Sequence, residues 1–184
     1  MGRKANKLPP MKYLKECFEY DPKSGILYWR HRPLNHFATL NAYSRCNSQH
    51  AGNPAGQLTK PGYLRVLLRA YGYFPVHRIV WKLVYGSDPG DLEVDHKNLD
   101  KSDNRIKNLR LATSGQNQRN HAVHSDSKSG IKGVSWHKAS NRWRAQLRVK
   151  GRIINLGGFK DIDRAERVVR AARKKYHGTF ANHG

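Results

Sequence analysis

Residues 92–120 read LEVDHKNLDKSDNRIKNLRLATSGQNQRN. Leu92 to His96 has the short apolar-polar character of a strand, and Leu109-Arg110-Leu111 that of a second. Between them the polar run Lys97–Lys107 has no periodicity, and a helix is expected from about Ser114. This order places Asp95 and His96 on the first strand, Asn108 at the start of the second and Asn117 inside the helix. Taken singly, each is an ordinary turn or capping residue. What distinguishes them is joint spacing: Asn108 follows His96 by twelve residues and Asn117 follows Asn108 by nine.

Such residue types suit phosphodiester cleavage. The reaction needs an in-line nucleophile, a base for its proton, and positive charge to stabilise the crowded phosphorus and the departing 3′ oxygen. His96, with an ordinary pKa of about 6.5, can take that proton at neutral pH. Asp95 alternates to the opposite strand face, so the two act together only if the backbone twists there.

With HRIVWKLVYG at 77–86 ahead of it, the stretch from about Val76 to Asn120 resembles the HNH nuclease ββα-metal motif. It is most similar to the HNH enzymes of phages and mobile introns. The resemblance implies that His96 is the general base, that Asp95 holds a divalent metal with Asn117 as second ligand, and that Asn108 ties the two strands together and orients His96. One carboxylate and one amide oxygen leave most positions to water and phosphate, which suits Mg²⁺ or another hard divalent cation. Many members carry a metal-binding His where Asn117 stands, although the mobile-intron branch accepts Asn. His121, one helical turn further along the same face, is the alternative ligand. Arg78, Arg105 and Arg119 are candidate phosphate contacts. His77 is expected to pack behind the motif, Asp100 and Asp103 to form turns, and His121 and His124 otherwise to be solvated.

Composition agrees with a polyanionic partner. The chain has 184 residues, 35 Lys and Arg against 13 Asp and Glu, and a formal charge of +22. Residues up to Asn120 hold 20 basic and 9 acidic side chains, the remainder 15 and 4, so both parts are cationic. That distribution suits two contacts with a phosphate backbone. No apolar run approaches the roughly 18 residues of a membrane span, and no signal peptide follows the N-terminus, so a cytoplasmic protein of a bacterial or phage-infected cell is expected. Cys17 and Cys46 are too few and too far apart for a disulfide framework or a thiolate zinc site, and are expected to be reduced.

Before the motif, Met11–Tyr20 reads as an amphipathic helix, Ile26–Arg30 as a strand, residues 33–57 as a loop, and Gly62–Val76 as a hairpin turning at Gly72. A helix through Ile79, Val80, Leu83 and Val84 should end near Gly86. Residues 121–130 (HAVHSDSKSG) read as a linker. Three strands follow at 131–136, 142–149 and 153–159, then a helix with Asp163 as N-cap, Glu166 at N3 and an apolar stripe of Ala165, Val169, Ala172 and Tyr176.

GVSW, RWRAQLRV, KG, INLGGF and RAERVVRAARKKYHG, lying between Ser129 and Ala181, are similar to the Apetala/ethylene-response-factor DNA-binding domain. The resemblance implies a three-stranded sheet whose free face lies in the major groove. With Trp143, Ala145, Leu147 and Val149 turned inward, Arg144, Gln146 and Arg148 point outward. Lys132, Ser135, Ile153 and Asn155 occupy other family contact positions, of which Ser135 and Ile153 depart most from the usual residues. Arg164, Arg167, Arg170 and Lys174 on the helix are expected to be solvated.

The expected architecture is α+β: a ββα-metal nuclease domain with an N-terminal elaboration over residues 1–120, the linker, and a three-stranded sheet with one packed helix over 131–184. The expected function is metal-dependent hydrolysis of double-stranded DNA, of the homing type, by a monomer or a dimer assembled on DNA. Its rivals are a DNA-binding regulator without catalysis and a basic RNA-binding structural protein.

Overall fold

The computed structural model describes residues 6–120, 123 and 127–183. It divides into two compact units, one ending at Thr113 and the other beginning at Ser114.

In the first unit α1 (Met11–Cys17) leads directly into β1 (Phe18–Tyr20), which pairs antiparallel with β2 (Leu27–Trp29). The helix expected over 11–20 therefore stops at Cys17. The change of period lets Cys17 and Phe18 both enter the core, while Tyr20 reaches a distant loop. The Asp21 carboxylate accepts from the Lys23 and Ser24 amides and closes the turn between the strands.

Residues 33–57 are not simply a loop: they contain α2 (Leu40–His50), capped by the Thr39 hydroxyl accepting from the Ala42 amide. Its one buried residue is Asn47. That side chain exchanges two hydrogen bonds of 3.0 Å with the Arg32 backbone. A helix anchored by an amide has no apolar stripe, so periodicity does not reveal it.

Next come β3 (Gln57–Leu58), β4 (Leu64–Leu68) and β5 (Gly72–Pro75), an antiparallel sheet in that order. Pro75 opens α3 (Val76–Tyr85), and Gly86 ends it in the left-handed conformation with φ of 78°. α3 sends Val76, Ile79 and Val80 into a core shared with Leu14, Leu68 and Phe74. It also buries charge. Arg78 pairs with Asp88 at 2.8 Å, Asp88 accepts from the Leu8 amide, and Lys82 donates to the Pro9 carbonyl at 2.8 Å. The segment ahead of α1 is thereby tied to α3. β6 (Glu93–His96) and β7 (Leu109–Ala112) form the last antiparallel pair, with Asp95 opposite Arg110 and His96 opposite Leu109.

The second unit begins with α4 (Ser114–Asn120), which contacts a 3-10 turn at Gly178–Phe180. The boundary between units thus precedes α4, ahead of the expected linker; of that linker, residues 121, 122 and 124–126 lie outside the described residues. β8 (Val134–His137), β9 (Arg142–Val149) and β10 (Arg152–Phe159) form an antiparallel sheet with β9 central, and α5 (Ile162–His177) packs on it. Asp161, not Asp163, is the N-cap of α5, accepting from the Asp163 amide at 2.9 Å. The buried row runs Ala165, Val169, Arg173, whereas Tyr176 is 44% exposed beneath the Lys175 ammonium. Among the described residues no helix is long and apolar enough to cross a membrane.

Close packing at Gly25 and at His77 can each be probed. Gly25 has φ of +79°, and a Cβ there would lie 2.5 Å from the Arg105 backbone nitrogen. Gly25→Ala should lower unfolding free energy by about 1–3 kcal/mol in a denaturant titration. Burial, chiefly, pushes His77 from 6.5 down to about 3. The unfolded chain then binds the proton first as pH falls, so the stability present above 6.5 declines toward pH 3, by on the order of 1 kcal/mol per pH unit. Thermal melts across that range should show a flatter decline for His77→Gln.

Candidate active site

The loop joining β6 to β7 closes on Asn108. The Asn108 Oδ1 accepts from the Asn98 amide at 3.0 Å, its Nδ2 donates to the Asp103 carbonyl at 2.8 Å, and its own carbonyl accepts from the Lys97 amide at 2.9 Å. Asp100 accepts from the Ser102 amide and hydroxyl, forming a turn. Asp103 does more than turn the chain: it holds Arg105 in a fork, and that guanidinium draws the carboxyl down to about 2. From the N-terminal hairpin, the Tyr20 hydroxyl donates to the Asn104 carbonyl at 3.0 Å and accepts from the Ile106 amide at 2.9 Å.

This bracing fixes Asn104, which is fully buried. Its Nδ2 donates to the Ser102 carbonyl, which turns Oδ1 toward His96 Nε2, 3.2 Å away. The imidazole therefore carries its hydrogen on Nε2 when neutral, with the ring lone pair on Nδ1. His96 is 3% exposed. It stands edge-on to His77, with ring centroids 5.1 Å apart, and beside Tyr63 at 5.9 Å. Burial lowers its pKa, opposed by the Asn104 bond and by the charges of Asp95, Asp100 and Asp103. A neutral ring at neutral pH results, as a proton acceptor requires. His77 packs behind His96, as expected from sequence.

Asp95 is 5% exposed and accepts from Arg110 Nε at 2.8 Å across the strand pair. Its charge acts on both His96 and Tyr63, so strand alternation does not separate the acid from the imidazole electrostatically. Among the described residues no three His, Cys, Asp or Glu side chains gather as a metal cage. The Asp95 carboxylate is the buried oxygen donor here that could hold a hard cation, one that keeps water and takes up phosphate oxygens. Asn117 lies on α4, grouped with the second unit. His121 and His124 lie outside the described residues, as does the side chain of Arg119.

Sequence reasoning missed Arg110, Asn104 and Tyr63. Arg110 was legible in principle, since pairing the two strands around Asn108 sets it opposite Asp95. Asn104 and Tyr63 carried no signal. Of the proposed phosphate contacts, Arg78 is 8% exposed and spent on Asp88, and Arg105 is held by Asp103 with its outer side partly exposed.

In the second unit, cross-strand pairing puts Ser135 opposite Arg144, Gln146 opposite Asn155 and Arg148 opposite Ile153. All six therefore share the face away from buried Ala145 and Leu147. Asn155 uses Oδ1 on the Gly157 amide at a bulge. Arg144 Nε is buried with no hydrogen-bond partner among the described residues. Lys132 departs from this set: it is half-buried, and burial plus the neighbouring Arg173 push it down to about 8.

The two cysteines are free thiols. Cys17 Sγ lies 3.7 Å from His36 Nδ1, whose Nε2 is 2.7 Å from Glu16. The order imitates a nucleophile relay, yet Cys17 is fully buried and burial pushes its thiol up to about 11. It is therefore inert as a nucleophile.

Residues 74–119, which span α3, both strands and most of α4, match the HNH endonuclease family. Protein 3.8 of Escherichia phage T7 is 32% identical over 107 residues, covering 57% of this chain and 86% of that protein. An uncharacterised HNH endonuclease of Acanthamoeba polyphaga mimivirus is 29% identical over 111 residues, covering 60% of this chain and 57% of that protein. No solved structure matches the chain. The imidazole, the acid and the amide-closed loop thus lie inside the matched segment; the chain carries an HNH endonuclease domain there, which makes it a nuclease, and it belongs to one family with protein 3.8 of phage T7.

Proposed function

We propose that the chain is a divalent-metal-dependent endonuclease of the homing type that cuts double-stranded DNA in the first unit and positions it with the second. The observation that carries this reading is the bond between His96 Nε2 and Asn104 Oδ1, which leaves the lone pair of a buried, neutral imidazole on Nδ1. In this reading Nδ1 accepts the proton of the attacking water. Asn108 is a positioning residue: it fixes the loop that presents Asn104 to the ring. Asp95 would hold the metal, oriented by Arg110, with Asn117 or His121 as the second protein ligand. When bound, a cation such as Mg²⁺ supplies positive charge for the crowded phosphate and the departing 3′ oxygen.

The family resemblance of the second unit supports its role, together with its exposed face of Arg148 and Asn155 and half-buried Arg144 and Gln146. Arg and Gln match guanine and adenine edges in the major groove, and Arg also contacts phosphate. With one such site per chain, a monomer nicks and a dimer assembled on DNA cuts both strands.

Incubating the protein with supercoiled plasmid and Mg²⁺ should produce nicked or linear DNA, and chelator should abolish it. His96→Ala should reduce the rate by about 100-fold or more while duplex binding persists. Binding without cutting by the native chain would favour a regulator instead. Arg144→Ala combined with Arg148→Ala should weaken duplex binding and site preference, and make log K less steep against log salt by about one for each lost phosphate contact. An unchanged cleavage map would remove the second unit from site selection.

A further inference from the structure

Among the described residues of the second unit the least solvated charge belongs to Arg173, on the inner side of α5. It is 2% exposed, and its Nη2 has no hydrogen-bond partner among the described residues. Its Nη1 lies 3.3 Å from His183 Nδ1. Glu166, whose charge acts on Arg173, is itself engaged by Arg170 through Nε at 2.8 Å. A guanidinium placed in this way is costly unless an anion completes it.

The surroundings have the form such an anion would require. Arg173 forms part of the wall of a cavity of about 680 Å³, lined also by Lys132, Gly133, Leu147, Lys150 and His177, and no acidic side chain is among the described residues that line it. Lys132 lines the same cavity, and burial together with the Arg173 charge disfavours its charged form. Next to them is Gly133, with φ of +77°. A Cβ there would lie 2.5 Å from the Gln146 carbonyl oxygen and 3.5 Å from Arg173 Nη2. Glycine therefore both permits the close approach of β9 and leaves room beside the uncompensated nitrogen.

We infer that Arg173 and Lys132 form a binding site for a phosphoryl group on the α5 side of the second unit. Guanidinium and ammonium together match a phosphate oxygen set. The source is either a free phosphate or the backbone of bound DNA, and the chemistry of recognition is the same. The site stands whether or not the first unit cuts DNA, because inorganic phosphate probes it without any cleavage.

The test uses the full chain and Arg173→Met, which keeps length and removes charge. Without phosphate the variant should melt at or above the native temperature, since an uncompensated buried cation is gone. In the first arm, inorganic phosphate should raise the native melting temperature by several degrees beyond sodium chloride at equal ionic strength, and the variant should not respond. In the second arm, binding to a short duplex should be less salt-dependent in the variant, by about one in the slope of log K against log salt. A response in the first arm identifies a free anion as ligand; one confined to the second identifies the DNA backbone. If Arg173→Met matches the native chain in both arms, the site does not exist. Should that variant not fold, Lys132→Met, at a half-buried position outside any helix or strand, is measured in the same two arms. Loss of either response supports the site, and native behaviour in both overturns it.

Discussion

One amide governs the nuclease half. Asn108 binds both limbs of the loop between β6 and β7, and without that grip a largely polar segment would keep only Ile106 packed against the apolar core. The loop in turn presents Asn104, Asn104 sets the hydrogen on the His96 ring, and the ring position follows from its neighbours Tyr63 and His77. The chemistry assigned to the imidazole thus rests on a chain of hydrogen bonds rather than on the apolar core. Such networks are stiff when complete, and each buried member left unsatisfied would cost about 1–3 kcal/mol.

Burial sets the electrostatic character of both units. Two histidines held neutral in the first unit, and a buried guanidinium with one nitrogen unbonded among the described residues in the second, are arrangements that core packing alone would not select. In the first unit the cost is moderated by nearby carboxylates, which oppose the downward shift at His96. In the second unit the opposing carboxylate at Arg173 is Glu166, which is itself bonded to Arg170. Arg78 and Lys82 are also buried in this chain: Lys82 is met by backbone carbonyls, and Arg78 pairs with Asp88 through Nη2 while its Nε lacks a hydrogen-bond partner among the described residues.

The sequence was most informative where function and periodicity coincide. The hairpin of β6 and β7, the helix ending at Gly86 and the alternation along β9 follow from local pattern. Asp95, His96 and Asn108 were legible because their spacing is tied to strand and loop lengths. α2 was not, because Asn47 rather than an apolar stripe anchors it. Asn104 and Tyr63 were hidden for a related reason: their partners are distant in the chain, and a buried amide in a polar loop looks like any other turn residue. The apolar row on α5 misled at Tyr176, since a short apolar pattern does not reveal that a charged Arg173 takes the inner place. Asn117 sits on the expected helix, but that helix groups with the unit following it.

The hold of the N-terminal segment on the rest has a consequence for how such a nuclease can be inherited. The family match begins at residue 74, yet Tyr20 and Gly25 clasp the loop from outside it, and Leu8 and Pro9 secure α3. The matched stretch is therefore not a portable cassette. A recombination breakpoint just upstream of α3 would strip away the clasp and leave a motif intact in letters but slack in space. Grafts that transplant the cutting chemistry into a new host chain would have to carry the leading hairpin with them.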